Sequence, residues 1–413
     1  MKFSSVLSAA GTLAVASAAS SNSCSFSKTT ITAATAVSQL NSCPTLDGDI
    51  QISGDQIGAI DFSSVKEIAG DVKLFNSSSV TEINLNQLKK ISGSLSIDAY
   101  TQLHAIDFTS LTEAQKLSLV SLPSLALLNL NSGISKAGTI EVSDTALSSL
   151  RGLTNFNTVG VLNVNNNKNI SSIDLAGLDT VSENLILSFN SDHCEIKLDD
   201  LAWASNLTIQ DVSELSASNL TSVNGSLQLA YNNFNSVDLS SLKQVGGSVL
   251  IFANDELTDV DLGSLKEIGG ELRLMNNTDL EDLGNTFKKL EEVKGAVNIR
   301  GAIANFTLPS LDKVDGDFSF SSTSDEFDCS DLKKQRSKGD IEGHNFNCSA
   351  PTKSKSSSSS GSKSSTKGGS SSTDSSSSGS SSSDSKKSNG ASTLYTSMMV
   401  VSCGVAAALA III

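Results

Sequence analysis

Residues 225–277 read GSLQLAYNNFNSVDLSSLKQV, then GGSVLIFANDELTDVDLGSLKEI, then GGELRLMNN, so one phrase is written twice and begun a third time. Each copy opens on glycine and continues with an alternating apolar segment, such as Leu227/Leu229. Asparagines follow, and then a second short apolar segment, such as Val237–Leu239. Repetition at a fixed period of about 20 to 50 residues is typical of solenoids. This stretch therefore predicts a repeat architecture for the chain around it.

The phrase can be followed along most of the chain as thirteen apolar pairs, spaced 20 to 25 residues apart and mostly 22 or 23. The pairs are Ile50/Ile52, Val72/Leu74, Leu95/Ile97, Leu117/Leu119, Ile140/Val142, Leu162/Val164, Leu185/Leu187, Leu207/Ile209, Leu227/Leu229, Val249/Ile251, Leu272/Leu274, Val297/Ile299 and Phe318/Phe320. One such turn cannot bury its apolar side alone, so stacked turns must share a core. We expect a mainly β fold over residues 20–350: a right-handed parallel β-solenoid, or leucine-rich-repeat-like rod, about 60 Å long at about 4.8 Å per turn.

Small and amide residues recur at fixed points of the repeat. The glycines at its start are Gly70, Gly93, Gly225, Gly247, Gly270, Gly295 and Gly316. We interpret them as tight corners that need positive φ, which glycine reaches without steric cost. The asparagines that follow the first strand are Asn76, Asn166, Asn190, Asn232, Asn254 and Asn276. Their amides can bond to backbone groups at the corner or to one another along the axis.

Aspartates recur between the apolar residues of the second segment, at Asp61, Asp107, Asp174, Asp238 and Asp261. Strand alternation points them outward. A calcium-binding ladder is one interpretation, but calcium loops place several oxygens within one short loop, so a solvated face is favoured. The run His193–Glu195 could supply metal ligands, although no second cluster accompanies it. We therefore predict no metal, no cofactor and no catalytic residue.

The cysteine positions frame the repeat region. The six are Cys24, Cys43, Cys194, Cys329, Cys348 and Cys403. In an oxidising compartment, Cys24 with Cys43 and Cys329 with Cys348 would each close one end of the solenoid. Cys194 is then either a buried thiol or a partner in a different pairing.

Residues 1–19 are typical of a secretory signal peptide. Lys2 precedes an apolar run over 6–15, and residues 16–18 form a small-residue cleavage site. A buried N-terminal helix is the alternative, but nothing in the segment is amphipathic. The signal peptide places the mature chain in the secretory pathway.

The C-terminal region changes composition twice. Residues 352–388 contain 22 serines in 37 residues, and such a segment cannot bury enough apolar surface to fold. We interpret 351–389 as a disordered, O-glycosylated stalk. Asn389 then begins a run of small residues, followed by a short polar spacer and an apolar tail without charge. That order predicts glycolipid (GPI) attachment at Asn389, with 390–413 removed; Ser388 and Gly390 are alternative attachment residues, and a transmembrane anchor is the alternative to the glycolipid.

Glycosylation sequons support the same compartment. They begin at Asn76, Asn169, Asn206, Asn219, Asn224, Asn276, Asn305 and Asn347. We expect several of the eight to be occupied.

Charge and aromatic content limit the classes of partner that the protein is expected to bind. The net charge is −15, and a negative field repels nucleic acid, so nucleic acid is excluded as a partner. Aromatic residues are 5% of the chain, with one tryptophan, Trp203, which argues against a cleft that stacks sugars or bases.

The chain resembles the fungal cell-wall-organisation family of extracellular-mutant and sporulation-specific surface proteins, whose repeats are similar to the receptor L domain. The phrases that carry the resemblance lie at 237–251 and 260–274, and its full pattern of signal, repeats, serine-rich stalk and anchor spans the chain. The resemblance implies a glycoprotein of the plasma membrane or cell wall that is needed for wall integrity. It supplies no catalytic residues.

Three functions compete. The favoured one is a non-catalytic, anchored wall organiser whose partners are wall polysaccharide or wall proteins and the plasma membrane. A receptor or adhesin that binds a glycan or protein on one solenoid face is the alternative. A wall-remodelling glycosidase or transglycosylase would need two carboxylates flanking a sugar cleft. The enlarged repeat 270–295 carries Glu281 and Asp282 but no aromatic platform, so this third function is the least favoured.

Overall fold

The computed structural model describes residues 23–351. The signal peptide, the stalk beyond Pro351, Cys403 and the attachment residue Asn389 lie outside the described residues. Within the described part of the chain, no helix is long and apolar enough to cross a membrane.

The main sheet is parallel and is built by one repeating strand position. Ile50 pairs with Val72, Val72 with Leu95, and Leu95 with Leu117. All thirteen predicted pairs continue in this register through Phe318. The predicted parallel β-solenoid is therefore confirmed, and each repeat is called a rung below.

The main sheet contains 21 strands. Their bounds are Ser23–Ile31, Thr45–Ser53, Glu67–Ile68, Asp71–Ser77, Lys90–Tyr100, Glu113–Leu122, Lys136–Thr145, Thr158–Asn165, Thr180–Ser188, Trp203–Gln210, Ser222–Val223, Leu227–Ala230, Gln244–Val245, Val249–Phe252, Glu267–Ile268, Leu272–Met275, Glu292–Val293, Val297–Gly301, Lys313–Val314, Phe318–Ser322 and Phe346–Ser349. The first and last of these strands extend the stack by one position at each end beyond the thirteen predicted rungs.

Shorter parallel strands line a second side of the solenoid in four groups. The first group is Ile60–Asp61, Glu82–Asn84, Ala105–Asp107 and Leu127–Asn129; the second is Ser172–Asp174, Glu195–Lys197 and Glu214–Ser216; the others are Ser236–Asp238 with Asp259–Asp261, and Asp282–Leu283 with Asn305–Phe306. Leu127, at the start of the last strand of the first group, is 53% exposed.

Each end of the stack is closed by a short helix and a disulfide. The helices are Ala34–Leu40 and Ser330–Lys338. Cys24 is bonded to Cys43 and Cys329 to Cys348, and both pairs are 19 residues apart in sequence. A crosslink over a loop of this size stabilises a fold by about 3 kcal/mol. The disulfides thus secure the two strands that have a neighbour on one side only.

The core is continuous from the first rung to the last. Val249 and Ile251 are both fully buried, and the corresponding residues of the neighbouring rungs are buried with them. Burying one such side chain contributes about 1.5–3 kcal/mol. The inward pairs, repeated on every rung, supply most of the apolar surface that the solenoid buries.

The glycines at the start of the repeat have a different role from the predicted one. Gly70, Gly93, Gly225, Gly247, Gly270, Gly295 and Gly316 do not have positive φ, so the corner interpretation was wrong. Instead their backbones stack directly: the Gly270 N–H donates to the Gly247 carbonyl at 2.8 Å. A Cβ on Gly270 would lie 2.8 Å from the Gly247 carbonyl carbon. These seven residues, the glycine column below, allow neighbouring rungs to approach closely.

The predicted asparagines divide into two positions. Asn76, Asn166 and Asn276 are exposed, whereas the residue in the next position along each rung is buried. The buried position holds Asn167, Asn190, Asn232, Asn254 and Asn277. Asn232 donates to Asn254 Oδ1 at 2.9 Å, and Asn254 donates to Asn277 Oδ1 at 2.9 Å. The predicted bonding along the axis is therefore confirmed for this asparagine ladder, where each amide also bonds to a backbone carbonyl.

Candidate functional site

Rungs turn after the main strand at one residue in the left-handed backbone region. The non-glycine residues at this position, the left-handed column below, have φ of 52–59° and are Asn76, Ala99, Ser121, Asp144, Asn166, Phe189, Asp211, Tyr231, Ala253 and Asn276. Asparagine and aspartate tolerate this conformation, and small residues reduce its steric cost. The position was predicted for asparagine, but the sequence analysis did not identify its positive φ.

Two members of the left-handed column are large aromatic residues. Phe189 has φ 52° and Tyr231 has φ 59°, and bulky side chains are genuine outliers in this region. Both are also exposed, Phe189 by 38% and Tyr231 by 52%. Strained backbone and solvent-exposed apolar area are both unfavourable, and strained residues cluster at functional sites.

The two rings form a cluster with a third. The ring centroids of Phe189 and Tyr231 are 6.4 Å apart, and those of Tyr231 and Phe252 are 5.6 Å apart in an edge-to-face arrangement. Phe252 lies one strand further along, at the half-buried end of Val249–Phe252. We call Phe189, Tyr231 and Phe252 the aromatic corner.

Asp211 lies within the aromatic corner along the axis. It occupies the left-handed column on the rung between Phe189 and Tyr231, because Ser188 pairs with Gln210 and Gln210 with Ala230. Its carboxylate is half-buried. The corner therefore combines ring faces with a strong hydrogen-bond acceptor.

The outward positions nearest the aromatic corner carry no charge, and the exposed Glu183 lies at the other end of its strand. Eight partly exposed positions on five successive strands are Asn163, Asn165, Ile186, Thr208, Gln210, Gln228, Leu250 and Phe252, whereas Ser188 and Ala230 share their register but are buried. The rung before them presents Glu141, and the rung after them presents Arg273, which is paired with Glu271 at 2.6 Å. In a chain that is 18% charged, this uncharged face is a distinct surface.

The outward aspartates have structural partners. Asp61, Asp107, Asp174, Asp238 and Asp261 each accept a hydrogen bond from the backbone N–H two residues later, at 2.7–3.0 Å. Asp282 does the same with Gly284, while Glu281 is exposed. These Asx turns shape the corner after each second strand. The outward orientation was predicted correctly, and the turn chemistry was missed.

At three carboxyl groups the surroundings favour the charged form and lower the pKa. Hydrogen bonds from Ser240 lower the pKa of Asp238, and hydrogen bonds from Asn345 lower the pKa of Asp317. Lys136 lowers the pKa of Glu113 by a hydrogen bond and by its charge. A general acid at neutral pH requires the opposite shift.

The run His193–Glu195, considered above as a source of metal ligands, does not bring its side chains together. Cys194 is buried with a free thiol, and burial raises its pKa to about 11. His193 and Glu195 beside it are exposed, so the three side chains do not converge. Within residues 23–351, no three His, Cys, Asp or Glu side chains are grouped to hold a metal ion. His104 and His344 are also exposed, as expected for incidental surface residues.

Sequon asparagines are accessible on several rungs. Seven are exposed, namely Asn76, Asn169, Asn219, Asn224, Asn276, Asn305 and Asn347. Asn206 is half-buried, and its amide donates to the Glu183 carbonyl and to Asn184 Oδ1, each at 3.2 Å. Their occupancy stays a prediction.

The sequence analysis missed the aromatic corner because a low overall aromatic content argues against sugar stacking. One signal was present: Phe189 and Tyr231 interrupt a column that otherwise holds Asn, Asp, Ser and Ala. Recognising it required knowing that the column has positive φ.

Comparison with known proteins gives close sequence relatives. The chain is 54% identical over 343 residues, 83% of each chain, to "Cell surface GPI-anchored protein ECM33" of Candida albicans. It is 36% identical to "Cell wall mannoprotein PST1" of Saccharomyces cerevisiae over 76% of this chain and 70% of the relative. "Sporulation-specific protein 2" of the same yeast is 30% identical over 76% of this chain and 62% of the relative. No family model and no solved structure matches the chain.

Proposed function

Because the chain belongs to the fungal family of cell-surface and cell-wall proteins that includes ECM33 and sporulation-specific protein 2, we propose that it is a GPI-anchored, non-catalytic cell-surface glycoprotein required for the organisation and integrity of the fungal cell wall. The observation that carries this proposal is the 54% identity to a cell-surface GPI-anchored protein over 83% of both chains.

The construction of the solenoid supports an organising role. Its inward pairs, glycine column and asparagine ladder each hold one rung on the next, and its Asx turns shape the corners within a rung. A solenoid of this kind presents a long surface along its axis. Secured by a disulfide at each end, it suits a protein that must keep its shape outside the cell.

The carboxylates support the non-catalytic part of the proposal. A retaining or inverting glycosidase needs one carboxyl group with a raised pKa as its proton donor. Asp238, which stands on the outward face, has a lowered pKa and a bond to its own turn. Asp282, in the enlarged repeat, accepts hydrogen bonds from the Gly284 N–H and from Asn305 as well.

Anchoring at Asn389 and glycosylation at the sequons complete the proposed mature form. Glycans at the exposed asparagines would surround the solenoid, and the serine-rich stalk would hold it away from the membrane. The partners are then wall polysaccharide or wall proteins on one side and the plasma membrane on the other.

The test is complementation of a deletion strain. Replacing residues 389–391 by tryptophan is expected to prevent glycolipid transfer, to remove the protein from the surface and to abolish growth on a wall-binding dye. The matched control places three tryptophans at 357–359 in the stalk, where display and growth should persist. Normal display of the anchor variant, still released by a phosphatidylinositol-specific phospholipase, would contradict the anchor at Asn389.

The same strain tests the non-catalytic role. Single alanine changes at Asp107, Asp174, Asp238, Glu281 and Asp282 should leave dye resistance nearly intact at equal surface level. Loss of an essential catalytic carboxylate would instead reduce activity by orders of magnitude without changing abundance. One well-displayed variant that behaves like the deletion would overturn the non-catalytic proposal.

A further inference from the structure

We propose that the aromatic corner, with Asp211 and the uncharged face beside it, binds a neutral wall polysaccharide lying along the solenoid axis. This inference rests on the proposed wall function and names the chemistry of its partner. Its residues are distinct from the anchor and from the Asx-turn aspartates.

The first argument is the conformation of the corner. Alanine, serine, asparagine and aspartate occupy the other rungs of the left-handed column, so the fold itself does not require a ring there. Phe189 and Tyr231 combine a strained backbone with exposures of 38% and 52%. Neither the strained backbone nor the exposed ring favours folding, and both residues place ring surface in solvent. Strained residues cluster at functional sites, and exposed apolar patches mark interaction surfaces.

The second argument is charge. A protein partner that met a chain of net charge −15 would be attracted to acidic groups, as complementary charges steer protein association. The eight partly exposed positions beside the corner are instead amides, one hydroxyl and apolar side chains. A neutral polymer rich in hydroxyl groups can bind there without leaving a buried charge unpaired.

The third argument is the pairing of chemistries. A sugar ring has an apolar C–H face and a rim of hydroxyls. Aromatic rings offer the C–H face a flat apolar surface, and Tyr231 adds a polar group at its tip. The sugar hydroxyls can form hydrogen bonds with the acceptors and donors of Asp211, Gln210 and Gln228.

The fourth argument is extent. The aromatic corner runs over four successive rungs, from Phe189 to Phe252, which is about 14 Å along the axis at about 4.8 Å per rung. Several sugar units of one chain fit this length. The sequon residue Asn206 lies five residues before Asp211 on the same rung, about 16 Å away across the strand. A glycan on Asn206 therefore starts at the opposite end of this strand from the aromatic corner.

The experiment measures binding of the full-length protein, purified from a detergent extract of whole cells, to insoluble β-1,3-glucan, chitin and mannan, with polygalacturonate as a charged comparison. The wild-type protein should bind at least one neutral polymer and not the charged one. Phe189→Ala with Tyr231→Ala should weaken that binding by about tenfold or more, because both exposed rings of the corner are removed. Leu127→Ala, which removes an exposed apolar side chain on another sheet, is the matched control and should bind as wild type.

Alanine already occupies the left-handed column at Ala99 and Ala253, so the double variant should fold and melt as wild type. Unchanged binding by that folded variant would overturn the proposal, as would absence of wild-type binding to every neutral polymer. Loss of a crosslinked protein partner from the double variant, with polysaccharide binding intact, would assign the corner to a protein instead. Because the assay does not require the anchor, its outcome is independent of the tests at Asn389.

Discussion

The two ends of a main-sheet strand carry residue columns that are restricted in different ways, one by space and the other by backbone conformation. Before the strand, the glycine column has ordinary φ and is glycine because the neighbouring backbone leaves no room for a Cβ. After the strand, the left-handed column has positive φ and is mostly not glycine. Space restricts the first column and conformation restricts the second. A side chain is therefore excluded from one end of the strand and permitted at the other, which is where the aromatic corner could arise.

The largest loss of stability is expected from a substitution in the glycine column. Gly270→Val would place a Cβ 2.8 Å from the Gly247 carbonyl carbon and 2.9 Å from the Ser248 nitrogen. Neither backbone atom can move without separating two rungs, so we expect unfolding to become easier by more than about 3 kcal/mol. Urea unfolding of the purified protein measures the change.

The control for that substitution is Gly54, which occupies the same turn position as Asn76 on the preceding rung, because Ser53 pairs with Phe75. Gly54 has φ +101°, and a Cβ added there would meet no atom within 4 Å. Gly54→Asn should therefore cost about 1 kcal/mol, from conformation alone. Equal destabilisation by the two substitutions would mean that crowding is not what selects glycine at 270.

The glycine column also shows what the sequence could and could not predict. The period placed all thirteen rungs correctly, because burial of the inward pairs is a local pattern repeated along the chain. The reason for glycine was wrong, because the atoms that exclude a Cβ at Gly270 belong to residues 22–23 positions away. The strands Ser23–Ile31 and Phe346–Ser349 were missed, since a helix and a disulfide loop separate each from its neighbour.

The next largest loss of stability is expected at one of two adjacent asparagines and not at the other. Asn167 is buried, accepts from Thr145 Oγ1 at 2.7 Å and donates to Asn190 Oδ1 at 3.1 Å. Asn166 is exposed in the left-handed column. We expect Asn167→Ala to cost about 2–4 kcal/mol, because partners on both neighbouring rungs lose a bond.

Asn166→Ala is the matched control, since alanine occupies the same position on other rungs, and it should cost under about 1 kcal/mol. Neither asparagine begins a sequon, so glycosylation does not confuse the comparison. Thermal melts in which the exposed asparagine proves the more important would reverse the assignment of the two positions.

A smaller, pH-dependent effect is expected at the Asx turns. Hydrogen bonds from Ser240 lower the pKa of Asp238 in the folded protein, so its stabilisation is present above the unfolded pKa of about 3.9 and is lost as pH falls through the folded value. Asp238→Ala should cost under about 1 kcal/mol at pH 7. The difference from wild type should shrink in acid, below both pKa values. A difference that grew in acid would show that the carboxylate is not the stabilising form.

The smallest expected effect on stability is at the residue expected to matter most for binding. Tyr231→Gly removes the strain of a bulky residue at φ 59°, a gain of about 1 kcal/mol. It also frees the unfolded backbone and removes the edge-to-face contact with Phe252, which together cost about as much. We expect unfolding free energies within about 0.5 kcal/mol of wild type, with polysaccharide binding clearly reduced. Ala253→Gly in the same column lacks the ring in both forms and should change neither property. If Tyr231→Gly instead melted several degrees lower, Tyr231 would be a packing residue, and its exposure would need an explanation other than a ligand.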